Sequence, residues 1–133
     1  MTLVNLLHQS IFQELTNDEL LMTLITGVFD RVIQSTAFPY ISLGESTISD
    51  WSSKTTTGKQ ANISLHIWSR EGGRKQAITI MERVYTILQD THPEVSGHTV
   101  VLLRFADSRV ELMNDGCTYK ATIIFKSIVE QTS

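Results

Sequence analysis

Ala61-Asn62-Ile63-Ser64-Leu65-His66-Ile67-Trp68, the break Ser69-Arg70-Glu71-Gly72-Gly73, and the run Arg74–Gln89 decide the fold. In the first piece Ile63, Leu65 and Ile67 alternate with Asn62, Ser64 and His66, the period of a strand with one apolar face. After Gly72-Gly73 the period changes. Ala77, Ile80, Met81, Val84, Ile87 and Leu88 recur at helical spacing, and Asp90-Thr91-His92-Pro93 ends the helix. A strand with one apolar face and a helix with one apolar stripe bury each other, so the helix is expected to lie across a sheet.

Toward the C-terminus the pattern is β throughout. Thr99–Phe105 places Val101, Leu103 and Phe105 on one side, and Arg109–Met113 turns Val110 and Leu112 inward. Asn114-Asp115-Gly116 is a hairpin signal. Tyr119–Ile128 follows, with Tyr119, Ala121, Ile123 and Phe125 on one face. Toward the N-terminus, Val4, Leu7, Ile11 and Leu15 define a helix over residues 3–15. Thr16-Asn17-Asp18-Glu19 reads as a capping box in which the Thr16 hydroxyl accepts from the Glu19 amide. A second helix over Leu20–Ile25 would stop at Gly27. Val28–Ile33 and Tyr40–Leu43 are strand candidates, the latter just after Pro39. Residues 45–60 hold eight Ser or Thr in sixteen positions, a long polar loop or a protruding hairpin arm. The expectation is a single α+β domain over residues 1–133. It has a mainly antiparallel sheet, one long helix packed on it and an N-terminal helical segment. Ile63, Leu65, Ile67, Ile80, Val84, Leu88, Leu103, Phe105, Ile123 and Phe125 form its expected core.

The chain has 133 residues, 41% apolar and 19% charged, which excludes wholesale disorder. Its net charge of −3 argues against a dedicated nucleic-acid binder. Residues 1–60 carry three basic and six acidic groups, residues 61–133 eight of each. The lone Cys117 excludes an internal disulfide and any multi-cysteine metal site. The N-terminus has neither a basic segment nor a continuous apolar one, and no apolar run approaches the ~18 residues of a membrane span. The product is expected to begin in the cytoplasm with no membrane partner.

The search for chemistry yields no catalytic, cofactor-binding or metal-ligating residue. His8, His66, His92 and His98 lack zinc spacing, and no Gly-x-Ser-x-Gly elbow occurs. Gly72-Gly73-Arg74-Lys75 opens a helix but lacks the phosphate-loop pattern. Cys117, beside a tight turn, reads as an inert thiol. Trp51, in a Ser/Thr-rich segment, either folds back onto the domain or anchors a protein contact. Trp68 is core if both sheet faces are covered and an interface residue if one is open. Arg70, Glu71, Arg74 and Lys75 surround the double glycine, a mixed-charge corner that suits a subunit contact.

Asp50-Trp51-Ser52-Ser53-Lys54, Gly58, and the run from Leu65 to Lys75 resemble the tail-completion, or tail-terminator, proteins of long-tailed phages and gene transfer agents. Val101–Arg109 and Ala37-Phe38-Pro39-Tyr40-Ile41 are similar to further segments of that family, so the resemblance covers nearly the whole chain. It implies a structural protein without catalysis or cofactors. Such a protein forms a ring, typically a hexamer, on the last tube ring of the tail, ends tube polymerisation and offers a surface to the head connector. Its partners would be copies of itself, the tail tube protein and a neck protein, with DNA passing through the lumen without specific binding. It would assemble in the host cytoplasm and end at the head–tail junction of the virion. Trp51, Lys54, Trp68, Arg70, Glu71 and Arg74 are the expected subunit or tube contacts. Two other readings stand beside it: another neck protein, such as a head-completion or stopper ring, and a small α+β ligand-binding protein or enzyme with a deep polar pocket.

Overall fold

Alternation at period two runs well past the quoted octapeptide. In the computed structural model, which describes Thr2–Thr132, β3 spans Gly58–Ser69 and buries Ala61, Ile63, Leu65, Ile67 and Ser69. The elements in order are α1 (Leu3–Thr16), α2 (Glu19–Leu24), β1 (Val28–Phe29), β2 (Tyr40–Asp50), β3, α3 (Gly73–Leu88), β4 (His98–Leu112) and β5 (Tyr119–Gln131). The strands form one sheet in the order β1-β2-β3-β5-β4. Every neighbouring pair is antiparallel except β1 with β2. The fold is α+β, as the sequence implies.

One face of the sheet carries the core. Ala77, Ile80, Val84 and Leu88 of α3 pack with Ile63, Leu65 and Ile67 of β3 and with Ala121, Ile123 and Phe125 of β5. Leu7, Ile11 and Leu15 of α1 and Leu21 of α2 join the same cluster. Leu3 and Leu6 of α1 pack at its margin, and Val4 is half-buried.

Several local expectations are corrected. Asp18, not Thr16, caps α2: its carboxylate accepts from the Leu21 amide, while the Thr16 hydroxyl donates back to the Phe12 carbonyl inside α1. A charged acceptor in extended backbone competes better for the orphan amide. Gly27 adopts no left-handed cap. The chain leaves α2 extended at Ile25, and the Gly27 carbonyl accepts from Ile41 as the parallel pairing begins. The strand expected over Val28–Ile33 stops at Phe29, because this edge offers no covered face to Val32 and Ile33, which stay exposed.

Much of the polar segment 45–60 is regular. β2 continues to Asp50, which pairs with Lys59 of β3, leaving a tip at residues 51–57. The two strands expected in 99–113 are one. β4 takes up an extra residue at Val101 and another at Ala106, where its register with β5 shifts. Each bulge reverses the alternation. The first bulge thus leaves Val100 and Leu103 buried and Val101 exposed, while Phe105 and Leu112 keep the core-side parity, opposite Phe125 and Tyr119, but lie at the margin of the covered face and are exposed. Phe105 is not core.

Candidate subunit interface

The sheet face away from α3 has no helix on it. Asn62, Ser64, His66 and Trp68 of β3 point there, beside Tyr40 and Ser42 of β2 and Lys120, Thr122 and Lys126 of β5. Trp68 is half-buried on this open face. Its Nε1 donates to the Ser42 hydroxyl at 2.9 Å, its ring stacks on Tyr40 at 6.3 Å and 24°, and the Lys120 Nζ lies 5.4 Å from the ring centre. It does not pack on its own helix.

His66 stands next to Trp68 on that face and shares a 3.0 Å hydrogen bond between Nδ1 and the Thr122 hydroxyl. Burial pushes its pKa down, and Lys120 and Arg109 add to the effect. These effects favour the neutral ring. It fills the space over Gly44, where an added Cβ would lie 2.5 Å from Nε2. Gly44 sits in the bulge that shifts β2 between Leu43 and Ser46. Its missing side chain lets strand and imidazole meet.

The double-glycine corner is held from within. The Arg70 guanidinium lies 4.4 Å over the Phe38 ring, its Nε donates to the Thr118 hydroxyl at 2.9 Å, and Nη2 is 3.7 Å from Asp115 Oδ2. Asp115 organises the β4–β5 turn by accepting from the Thr118 hydroxyl and the Cys117 and Thr118 amides, which hold its carboxyl far below the usual range. Arg70 therefore ties its own corner to two other segments, the one carrying Phe38 and the β4–β5 turn. Arg74 is exposed, with its guanidinium 5.6 Å over Tyr119, and neither it nor Glu71 makes an ion pair among the described residues.

Trp51 and Lys54 sit in the arm tip. The Trp51 amide donates to the Gly58 carbonyl at 2.9 Å, and the Ser53 hydroxyl accepts from the Thr55 and Thr56 amides. The Ser/Thr content of the tip thus serves its backbone amides. The Trp51 side chain is 55% exposed and has Lys126 Nζ at 5.8 Å from its ring. The six expected contact residues fall into two groups at opposite ends of β3. Trp68, Arg70, Glu71 and Arg74 lie at one end and Trp51 and Lys54 at the other, roughly 30 Å apart along ten strand residues.

A second exposed apolar surface escaped the sequence reading. Tyr85 of α3 meets Phe105 of β4 edge to face at 5.5 Å, both substantially exposed. The signal was present in Val100-Val101-Leu102-Leu103, an apolar run that cannot turn every side chain inward. Among the described residues no group of three or more His, Cys, Asp or Glu side chains able to hold a metal occurs, and no helix formed by them is long and apolar enough to cross a membrane.

No curated protein matches the chain. A chain in a solved structure described as the virion of a native gene transfer agent particle superposes with a TM-score of 0.85. It is 24% identical, with 92% of each chain covered, a likeness that establishes the shared fold. Residues 9–130 match the family described as Tail completion protein gp17, and the chain belongs to that family of structural tail proteins.

Proposed function

We propose that this protein closes the phage-type tail: copies of it form a ring, most simply a hexamer, that caps the tail tube, ends its polymerisation and presents the surface to which the head connector or a neck protein joins. The family match over residues 9–130 carries this reading. Two features of the chain support it. The sheet ends in strand edges on opposite sides, β4 beyond Phe105 on one, its earlier stretch being bonded to Gln89, Asp90 and His92, and the arm portion of β2 on the other. A closed ring needs two different patches on each subunit, and strand edges supply such contacts through main-chain hydrogen bonds. The net charge of −3 per copy makes the ring acidic, so DNA in its lumen slides without specific binding. The protein acts by contact and carries no catalysis. It assembles in the host cytoplasm and resides in the virion, at the head–tail junction.

Electron microscopy of tail tubes grown with and without the purified protein tests the reading. Added protein should give tubes of uniform length with a ring at one end. Tubes that keep elongating, with no terminal density, would overturn it.

A further inference from the structure

Alongside the Tyr85–Phe105 contact, α3 and β4 leave an open groove of about 380 Å³. Met81, Tyr85, Phe105 and Ile123 give it apolar walls, and Glu82 stands on its rim. Tyr85 is 41% and Phe105 39% exposed, an unusual surplus of aromatic surface on a small soluble chain. Glu82 makes no ion pair among the described residues.

The arm tip has the opposite character. Trp51 projects with more than half its surface in water, and Lys54, three residues on, is exposed and makes no ion pair among the described residues. An indole beside a lone cation complements an apolar groove beside a lone carboxylate. The two cannot meet within one chain. Trp51 leans toward Lys126 on the open face, the groove lies on the α3 face, and β3 and β5 stand between β2 and β4.

We propose that the groove between α3 and β4 receives the arm tip of a second copy of this chain, with Trp51 entering between Tyr85 and Phe105 and Lys54 meeting Glu82. Each copy then gives one tip and takes one, the head-to-tail contact that closes into a ring. A large aromatic anchor in an apolar groove, with a charge pair at the rim, is the usual composition of an interface centre. The inference rests on the ring reading above and names the surfaces that join neighbours.

Light scattering of the full-length protein, alone and on tail tubes, tests it. The wild type should give a ring mass and cap tubes. Trp51→Ala and Glu82→Lys should each weaken assembly at least about tenfold, with melting temperatures close to wild type. Glu82→Lys combined with Lys54→Glu in one chain should restore assembly, because the pair is re-formed with its signs exchanged. An equal mixture of Trp51→Ala and Tyr85→Asp should stop at dimers, since only one intact tip can enter one intact groove. Wild-type assembly by both Trp51→Ala and Glu82→Lys would overturn the groove assignment and leave the ring standing. A wild-type chain that neither assembles nor caps tubes would overturn the ring itself.

Discussion

Arg83 of α3 donates from Nε and Nη2 to the two carboxylate oxygens of Asp18 at 2.8 and 2.6 Å, while that carboxylate also caps α2 through the Leu21 amide at 2.9 Å. One side chain thus fixes the start of a six-residue helix and ties it to the long helix on the sheet. A helix this short forms only with such tertiary support.

The pair makes stability acid-sensitive. The Arg83 guanidinium holds the Asp18 carboxyl below its ordinary value. A depressed folded-state pKa contributes stability that is present above the unfolded value and is lost as pH falls through the folded one. Asp18→Asn should therefore lower the melting temperature at pH 7 and flatten its decline on acidification. Asp18→Ala, which also removes the cap, should cost about 1 kcal/mol or somewhat more. Thermal melts across the acid range check both, and an unchanged acid limb in Asp18→Asn would remove this carboxylate from the account.

The core and the β4 edge should respond differently to truncation. Leu65 is fully buried under α3, so Leu65→Ala should cost roughly 2–5 kcal/mol. Phe105 lies at the open margin of the α3 face beside Tyr85, and Phe105→Ala should cost less than about 2 kcal/mol. Denaturant titration of the two variants compares them directly. Equal losses would place Phe105 in the core after all.

Gly44 should resist substitution. A Cβ there would meet His66 Nε2 at 2.5 Å and the Ser64 carbonyl oxygen at 2.9 Å. Gly44→Ala should cost about 1–3 kcal/mol through this overpacking. Adding His66→Ala should recover part of the loss, because the imidazole gives way and the backbone oxygen does not. A neutral Gly44→Ala in urea unfolding would show that the bulge relaxes freely.

The elements built on a single unbroken period were readable from the residues. β3 and α3 alternate and repeat without interruption, so their inward faces follow from Ile63, Leu65, Ile67, Ile80 and Val84 alone. β4 was misread because its two bulges leave no mark on the residue types around Val101 and Ala106. They are set by pairing with β5, a partner in space rather than in sequence. The arm was partly hidden for a related reason: Ser and Thr suit both loops and exposed strands, and only the Asp50–Lys59 pairing separates the two. For the candidate contacts, residue type pointed to Trp51, Trp68 and the arginines. It could not show that Arg70 is occupied by Phe38, Thr118 and Asp115 while Arg74 makes no ion pair.

That difference gives the two arginines opposite signatures. Arg70→Ala should loosen the clasp between the β3–α3 corner and the β4–β5 turn, lowering the melting temperature slightly. Arg74→Glu should not. Arg74 lies in the first turn of α3, where the positive end of the helix dipole disfavours a cation and favours a carboxylate. Charge reversal there should leave the monomer as stable as wild type or slightly more so. Its only described contact, the Tyr119 ring at 5.6 Å, is exposed and weak. A loss of tube capping by Arg74→Glu therefore cannot be attributed to misfolding. It would report a carboxylate on a neighbouring molecule that now meets a like charge. Melting curves read beside the capping assay separate the outcomes, and normal capping by a fully folded Arg74→Glu would take this corner out of the contacts of the proposed ring.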